Sequence, residues 1–373
     1  MTSTDMTSQN QDELRLFRES VRTLFDRAGG VGRARKLRGA PQGWDAGLMR
    51  ELAEAGAFGA AIPEKQGGLG MGLVAAGVVA EEAGRVLAPE PIVAMAGLTI
   101  GLLYRLCPAH AALSAALEGN SVLAPAWQER GPRGVAQTRA CRYTDGKLDG
   151  RKAWVVGSRG ASGYLVVAQG GAGPVLALVQ KGAANLSIEE RPQADGSVMA
   201  ELAFNGTPAE RLAEGAAVET ALSEAVSDAT ALAAAELVGL SERAFEITLD
   251  YIKTREQFDK PIGAFQVLQH RAVDQRIMQE VAAAGIREAL ARMDQTNDPR
   301  QRARQASRAK ARACVAARKI TREAIQLHGA VGYTDEFDIG LYLNRALVLT
   351  AWLGDDVYHR RLWLEARERE EAA

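Results

Sequence analysis

Cysteine is scarce. The 373 residues hold three, Cys107, Cys141 and Cys314, far apart and with no CxxC pair. That excludes a disulfide-stapled scaffold and gives no support to a zinc or redox motif, so the thiols read as reduced in a cytoplasmic protein. Net charge is also lacking: 45 Lys+Arg against 46 Asp+Glu leave −1. With no local basic patch, nothing attracts phosphate backbones or anionic lipid, and nucleic acid is not an expected partner. Long apolar runs are missing too. Each is broken by Gly, Pro or charge before the ~18 residues of a membrane span, as Gly97 and Gly101 break the stretch 92–104, so no membrane association is expected. The polar start, MTSTDMTSQNQDEL, lacks the basic-then-apolar order of a signal peptide and reads as frayed. No repeat of about 20–50 residues is visible.

What is present is a chain 47% hydrophobic and 24% charged, long enough for two or three domains of roughly 100–200 residues each. Residues 1–118 read as a helical domain: Leu14, Phe17, Val21 and Leu24 recur at three- and four-residue spacing, as do Leu48, Leu52 and Ala55. Over 119–214 the pattern changes to short β-type runs at 122–127, 148–156, 164–168, 175–179 and 199–204. Asp145-Gly146, Asp149-Gly150 and Asn205-Gly206 serve as turn signals. Helical periodicity returns over 215–373. There Leu237, Leu240, Ala244, Ile247 and Tyr251 form one face of a bundle helix, and Glu242, Glu246 and Asp250 another. The stripe Ala306, Ala309, Ala313, Ala316 and Ile320 suits close helix approach at ~8 Å and is the expected assembly surface of a dimer of dimers. The expected fold is therefore α+β: an N-terminal helical domain, a middle β-domain (small barrel or sandwich) and a C-terminal four-helix bundle.

Four stretches carry chemistry. LAEAGAFGAAIPEKQGGLG (52–70) joins a helix end to a Pro-Glu turn and a glycine loop, and leads to Glu81 and Glu82. KAWVV (152–156) sets Trp154 and Val156 between the Asp149-Gly150 signal and Gly157. REQFDKPIGAFQVLQ (255–269) offers Arg255, Gln257, Phe258 and Gln266. QLHGAVGY (326–333) offers Gln326 and Gly329. Together they resemble the acyl-CoA dehydrogenase family across all but the first ten or so residues, and the short bacterial type best, that of pimeloyl-CoA and steroid side-chain dehydrogenase subunits, which often work as unlike pairs. The third stretch follows the family's R-x-x-F-G-x-x-I-x-x-x-Q with Asp259 for Gly, and the fourth its Q-x-x-G-G-x-G-[YF] with Ala330 for Gly.

The resemblance implies FAD. Trp154 would lie beside the flavin ring, with Val156 where a flavin-bonding Thr is usual, leaving only a backbone N–H. Arg255 would fork onto pyrophosphate oxygens, Phe258 pack on the cofactor, and Gln266, with Gln257, meet its polar edges. Gln326 and Gly329 would reach the adenosine end of a flavin held mainly by a neighbouring subunit. His328 reads as a packing histidine, and His270 as a cap or hydrogen-bonding group. The implied reaction removes the acyl-CoA α-proton with a carboxylate, passes the β-hydrogen as hydride to flavin, and sends the electrons to an electron-transferring flavoprotein. The implied assembly is a homotetramer or heterotetramer.

The base is the departure. The two family positions fall on Ala229, 26 residues before Arg255, and Gly354, nine after Arg345. Asp228 and Asp355 are one residue away, and a step of one rotates a helical side chain by ~100°. Asp228 reads either as a displaced base or as a helix N-cap. Asp355 and Asp356 belong to a turn, and Glu224 lies one helical turn before Asp228. Three readings stay open: a working dehydrogenase using Asp228 or another displaced carboxylate, a subunit completing the flavin site of an unlike partner that carries the base, or a flavin monooxygenase or oxidase on the same scaffold. Small residues at 156, 229, 230 and 354 suggest room for a bulky acyl chain.

Overall fold

The computed structural model describes residues 3–130 and 140–371, with side chains over 11–130 and 140–367. Helices α1 (Ser3–Arg27), α2 (Gly30–Leu37), α3 (Ala46–Glu54), α4 (Gly72–Arg85), α5 (Ile100–Leu106) and α6 (Ala111–Leu117) come first. The segment Ala94–Thr99 before α5 is wound as a π-helix. Strands β1 (Leu123–Ala126), β2 (Arg142–Thr144), β3 (Lys147–Val156), β4 (Gly163–Gln169), β5 (Pro174–Gln180), β6 (Leu186–Pro192), β7 (Val198–Pro208) and β8 (Glu210–Glu214) follow. Then come α7 (Ala216–Thr254), the hairpin β9 (Glu256–Gln257) and β10 (Lys260–Pro261), α8 (Gln266–Asp294), α9 (Pro299–His328), α10 (Ile339–Ala351) and α11 (Asp356–Glu371). The α+β order is the expected one. The N-terminal stretch read as frayed is instead helical from Ser3, as the first part of α1.

Two compact units divide the chain: 1–35, 72–88 and 230–373 form one, 36–71 and 89–229 the other. In the helical unit, α4 and α7 touch through backbone. A methyl on Gly239 would sit 1.9 Å from the Glu81 carbonyl oxygen, and one on Gly84 2.2 Å from that of Glu236, so only glycine allows this approach. Of the carboxylates expected on the second face of α7, Glu242 and Glu246 have a partner here. Arg85 donates to Glu242 and Glu246, both at 2.8 Å, while Glu81 and Glu82 on α4 receive Arg18 and Arg22 of α1. Asp294, the last residue of α8, accepts the Leu73 and Val74 amides and so caps the start of α4. The alanine stripe of α9 is buried inside the chain against α8, α10 and α11, and is therefore not an assembly surface. Small side chains that let helices approach within a protomer leave nothing to offer outside it. Among the exposed apolar residues, Val273, Ile277 and Val281 lie on α8 and recur every four residues.

In the other unit the strands run in the order β6-β7-β3-β2-β4-β5-β8, with β1 parallel to β4. β4 is buried along nearly its whole length, so its apolar run is continuous, whereas β7 alternates. Two expected turns are bulges or close contacts inside strands. Gly150 lies within β3, where a methyl would come 2.7 Å from the Cys141 Cα, and Gly206 is an extra residue of β7 opposite Leu148 and Asp149. β2, β6 and β8 were not foreseen, and charge on β6 hides its alternation.

Candidate functional site

Trp154 is held by backbone strain. Between the pairs Lys152↔Leu202 and Val155↔Ala200, β3 carries one residue more than β7, and Trp154 adopts φ 54° within that bulge. A left-handed tryptophan is rare and costs about 1 kcal/mol or more, and bulges of this kind re-aim a side chain. Trp154 and Val156 are half-buried while Val155 between them is fully buried. Just behind, the Lys152 ammonium is buried and donates to Glu129 at 2.6 Å. Glu129 also accepts the amides of Ala140 and Cys141. Burial opposes its charge, but Lys152 and the two amides outweigh that and hold the carboxyl below its ordinary pKa. This fixed pair was not singled out in the sequence, because 129 and 152 share no local pattern. The Ser158 hydroxyl, two residues beyond Val156, is buried with no partner among the described residues.

Asp228 is not an N-cap. α7 begins at Ala216, so Asp228 lies in its interior, buried, and accepts from Arg105 Nη2 at 2.8 Å. Arg105 Nε donates to Glu224 at 2.7 Å and Nη1 to the Gly101 carbonyl at 2.9 Å. Burial disfavours the guanidinium charge, and Asp228, Tyr104 and Glu224 more than offset it, so Arg105 titrates above its ordinary value. Ala229 is fully buried against the π-helical segment, where a methyl on Gly97 would meet the Ala229 Cβ at 2.7 Å. Gly101 faces Ala225 in the same way, at 3.3 Å. The small residue at 229 is therefore matched by a glycine and leaves no room.

In the helical unit the motif at 326–333 is tied to Tyr251, four residues before the motif at 255–269. Tyr251, in the last turn of α7, stacks on His328 with ring centroids 4.3 Å apart and donates to its carbonyl at 3.3 Å. The His328 Nδ1 faces the Ala324 carbonyl at 2.7 Å; burial lowers the pKa of the ring, with that carbonyl opposing. His328 thus packs as expected. Arg255 is exposed, and its guanidinium has no hydrogen bond or ion pair among the described residues. The Gln257 side chain donates to the Glu256 carbonyl, while Gln266, the first residue of α8, is exposed. His270 lies in the second turn of α8, too far along to cap it. Phe258 is 85% exposed at the tip of the β9–β10 hairpin, its ring edge-on to Phe265. Both residues of that two-residue turn have positive φ, Phe258 at 55° and Asp259 at 59°, as a type I′ turn requires and as Asn-Gly would supply more easily. Replacing Asp259 by Gly should raise stability by about 0.5–1 kcal/mol, read as a higher urea midpoint; an unchanged or lower midpoint would contradict the strain.

Gln326 lines a groove of about 620 Å³ between α8 and α9, rimmed by Arg271, Lys319 and Arg322. Gly329 ends α9 with φ 62° and ψ −139°, backbone that only glycine adopts readily. Gly354, φ 104°, lies between α10 and α11, and a methyl on it would strike the Tyr358 ring at 2.4 Å. Asp355 accepts the Tyr358 amide and Asp356 pairs with Arg318, so both are structural. Among the described residues no group of His, Cys, Asp and Glu is placed to hold a metal ion, and no helix is long and apolar enough to cross a membrane.

Family models bear directly on this arrangement. Residues 11–108 match the acyl-CoA dehydrogenase N-terminal domain and 220–366 its C-terminal domain. Acyl-CoA dehydrogenase IpdE2 of Mycobacterium tuberculosis is 30% identical over 341 residues, 90% of this chain and 91% of its own. The chain belongs to the acyl-CoA dehydrogenase family. Two solved family structures are close in fold. A Tcur3481-Tcur3483 steroid ACAD variant has TM-score 0.86 and 28% identity over 98% of this chain and all of that one. The ChsE4-ChsE5 complex from Mycobacterium tuberculosis has TM-score 0.83 and 26% identity over 96% and 97%.

Proposed function

We propose that the chain is a subunit of an FAD-dependent acyl-CoA dehydrogenase, an oxidoreductase of lipid degradation that converts an acyl-CoA thioester to the 2-enoyl-CoA and hands electrons to an electron-transferring flavoprotein. The observation that carries this is the end of the helical unit where Arg255, exposed and without a partner among the described residues, and the projecting Phe258 follow Tyr251, which stacks on His328 between Gln326 and Gly329. An exposed cation beside an exposed ring suits an anionic cofactor with a planar part. When bound, FAD supplies the hydride acceptor. Arg255 holds its pyrophosphate, Phe258 packs on it, Gln257 and Gln266 meet its polar edges, and Gln326 and Gly329 take the adenosine end. That flavin is held mainly by a neighbouring subunit, and Trp154 and Val156 offer an indole and a backbone N–H to the flavin of their own. The exposed Val273, Ile277 and Val281 of α8 supply an apolar face for the assembly this sharing requires.

A second reading is favoured by the two base positions. Ala229 faces Gly97 and Gly354 faces Tyr358, so neither has space for a carboxylate, and the neighbouring Asp228 is tied to Arg105. On this reading the subunit completes the FAD site of an unlike partner, and the partner's carboxylate takes the α-proton. That two of the structural relatives are named as pairs, Tcur3481-Tcur3483 and ChsE4-ChsE5, accords with it.

Arg255→Ala removes a charge-assisted contact worth about 1.5–3 kcal/mol, so flavin per protomer should fall by an order of magnitude or more. Unchanged flavin absorbance in the purified variant would refute the role of Arg255. The deciding assay mixes the purified chain, alone and with its unlike partner, with an acyl-CoA and an artificial electron acceptor. Turnover is expected only in the mixture. Asp228→Asn should then leave the mixture's turnover within a few-fold and lower stability by about 1–3 kcal/mol through the weakened Arg105 pair. Turnover by the chain alone that disappears in Asp228→Asn while flavin stays bound would make Asp228 the base, since general-base loss costs roughly 100-fold or more.

A further inference from the structure

Lys310, in the middle of α9, is fully buried, and among the described residues no carboxylate pairs with it. Its ammonium points at three carbonyl oxygens of one short segment: Leu349 at 2.9 Å, Trp352 at 2.7 Å and Gly354 at 3.1 Å. Burial pulls the Lys310 pKa down, opposed by Cys314, Asp355 and Glu236, but three such bonds need three N–H groups, which only the protonated amine has. The neighbouring carbonyls are also taken. Cys314, one turn along α9, approaches the Thr350 oxygen at 3.9 Å, the Gly354 amide donates to Ala351 at 3.3 Å, and His359 Nε2 meets Leu353 at 3.0 Å. Every carbonyl from 349 to 354 thus has a donor, in a connection where Leu353 (φ 63°) and Gly354 (φ 104°) are both left-handed. Helix ends leave orphan carbonyls that carry partial negative charge, and here one buried cation gathers them.

We propose that Lys310 is a positioning residue whose ammonium acts as a built-in monovalent cation, fixing the α10–α11 connection and with it the backbone at Gly354. The relevance of Gly354 to acyl-CoA chemistry rests on the function proposed above; the clamp itself does not.

Removing the ammonium should leave a carbonyl-lined site that a small cation can enter. In the full chain, Lys310→Ala and the volume-keeping Lys310→Met are compared with wild type by hydrogen exchange and thermal melting. The melts are run in ammonium, potassium and tetramethylammonium chlorides at equal ionic strength. Exchange of the amides from 352 to 356 should quicken at least tenfold in both variants. Ammonium or potassium should restore melting temperature and protection in Lys310→Ala, and tetramethylammonium should not. If the variants fold only during refolding in ammonium chloride, the proposal is supported; failure to refold in every salt overturns it. Protection within twofold of wild type, or an identical response to all three salts, also overturns it. None of these readouts involves flavin or substrate, so the result is independent of the proposed activity.

Discussion

Ala229→Glu is expected to lower the unfolding free energy by about 5 kcal/mol or more, seen as loss of the folded baseline in urea or as a collapse in soluble yield. The position is fully buried, and Gly97 already stands within contact distance of the alanine methyl. The extra methylene and carboxylate force α7 away from the π-helical segment, which costs about 1–3 kcal/mol as overpacking. A carboxylate without a cation adds several more. Against a total stability of roughly 5–15 kcal/mol that is close to unfolding. Ala229→Gly, which removes a methyl, should cost only about 1 kcal/mol. A folded Ala229→Glu protein melting within about 5 °C of wild type would show that the site has room, and would reopen the case for a base at this position.

The second large effect is on acid stability. His359 is buried between α9 and the α10–α11 connection, with Nε2 on the Leu353 carbonyl and Nδ1 facing the Ser307 hydroxyl at 3.2 Å. Burial, reinforced by the Lys310 charge, lowers its pKa from 6.5 to about 3, with the Leu353 carbonyl and Asp355 opposing. The unfolded chain therefore takes up a proton as pH falls below 6.5 while the folded one does not, and stability is lost from there down toward pH 3. The loss is about 2 kcal/mol by pH 5 and roughly 5 kcal/mol once both states are protonated. His359→Gln keeps a donor for Leu353 but cannot titrate. Its unfolding free energy should fall less steeply between pH 7 and pH 5 than that of wild type. Parallel curves for the two proteins would exclude His359 as the cause.

Much of this was legible in the sequence because it is written in local periods. The α7 pattern from Leu237 to Tyr251 and the apolar runs of β4 and β5 are set by residues a few places apart. The motif at 255–269 points to the family through residue order alone, without knowing what surrounds it. Other features depend on contacts between distant residues. The pairing of Asp228 with Arg105 is invisible at position 228, where an aspartate amid alanines looks like a helix start. The alanine stripe of α9 gave the right face but the wrong partner, since periodicity says that a face is buried and not by what. Asp149-Gly150 and Asn205-Gly206 have turn composition, yet in β3 and β7 those glycines answer a close Cys141 backbone and a bulge. The emptiness of 229 and 354 was plain from the sequence, but its cause needed Gly97 and Tyr358.

The bulge at Trp154 also bears on how long the chain must be. The pairs on either side of it, Lys152↔Leu202 and Val155↔Ala200, differ by one residue between the two strands. Removing that residue would let β3 and β7 close into an unbroken ladder with the same partners on both sides. The sheet has no need of it. The added residue forgoes regular pairing and puts a bulky side chain into left-handed backbone, both of which weaken the strand. The chain at this point is therefore one residue longer than the pairing of β3 with β7 requires, and the sheet would be more regular if it were shorter.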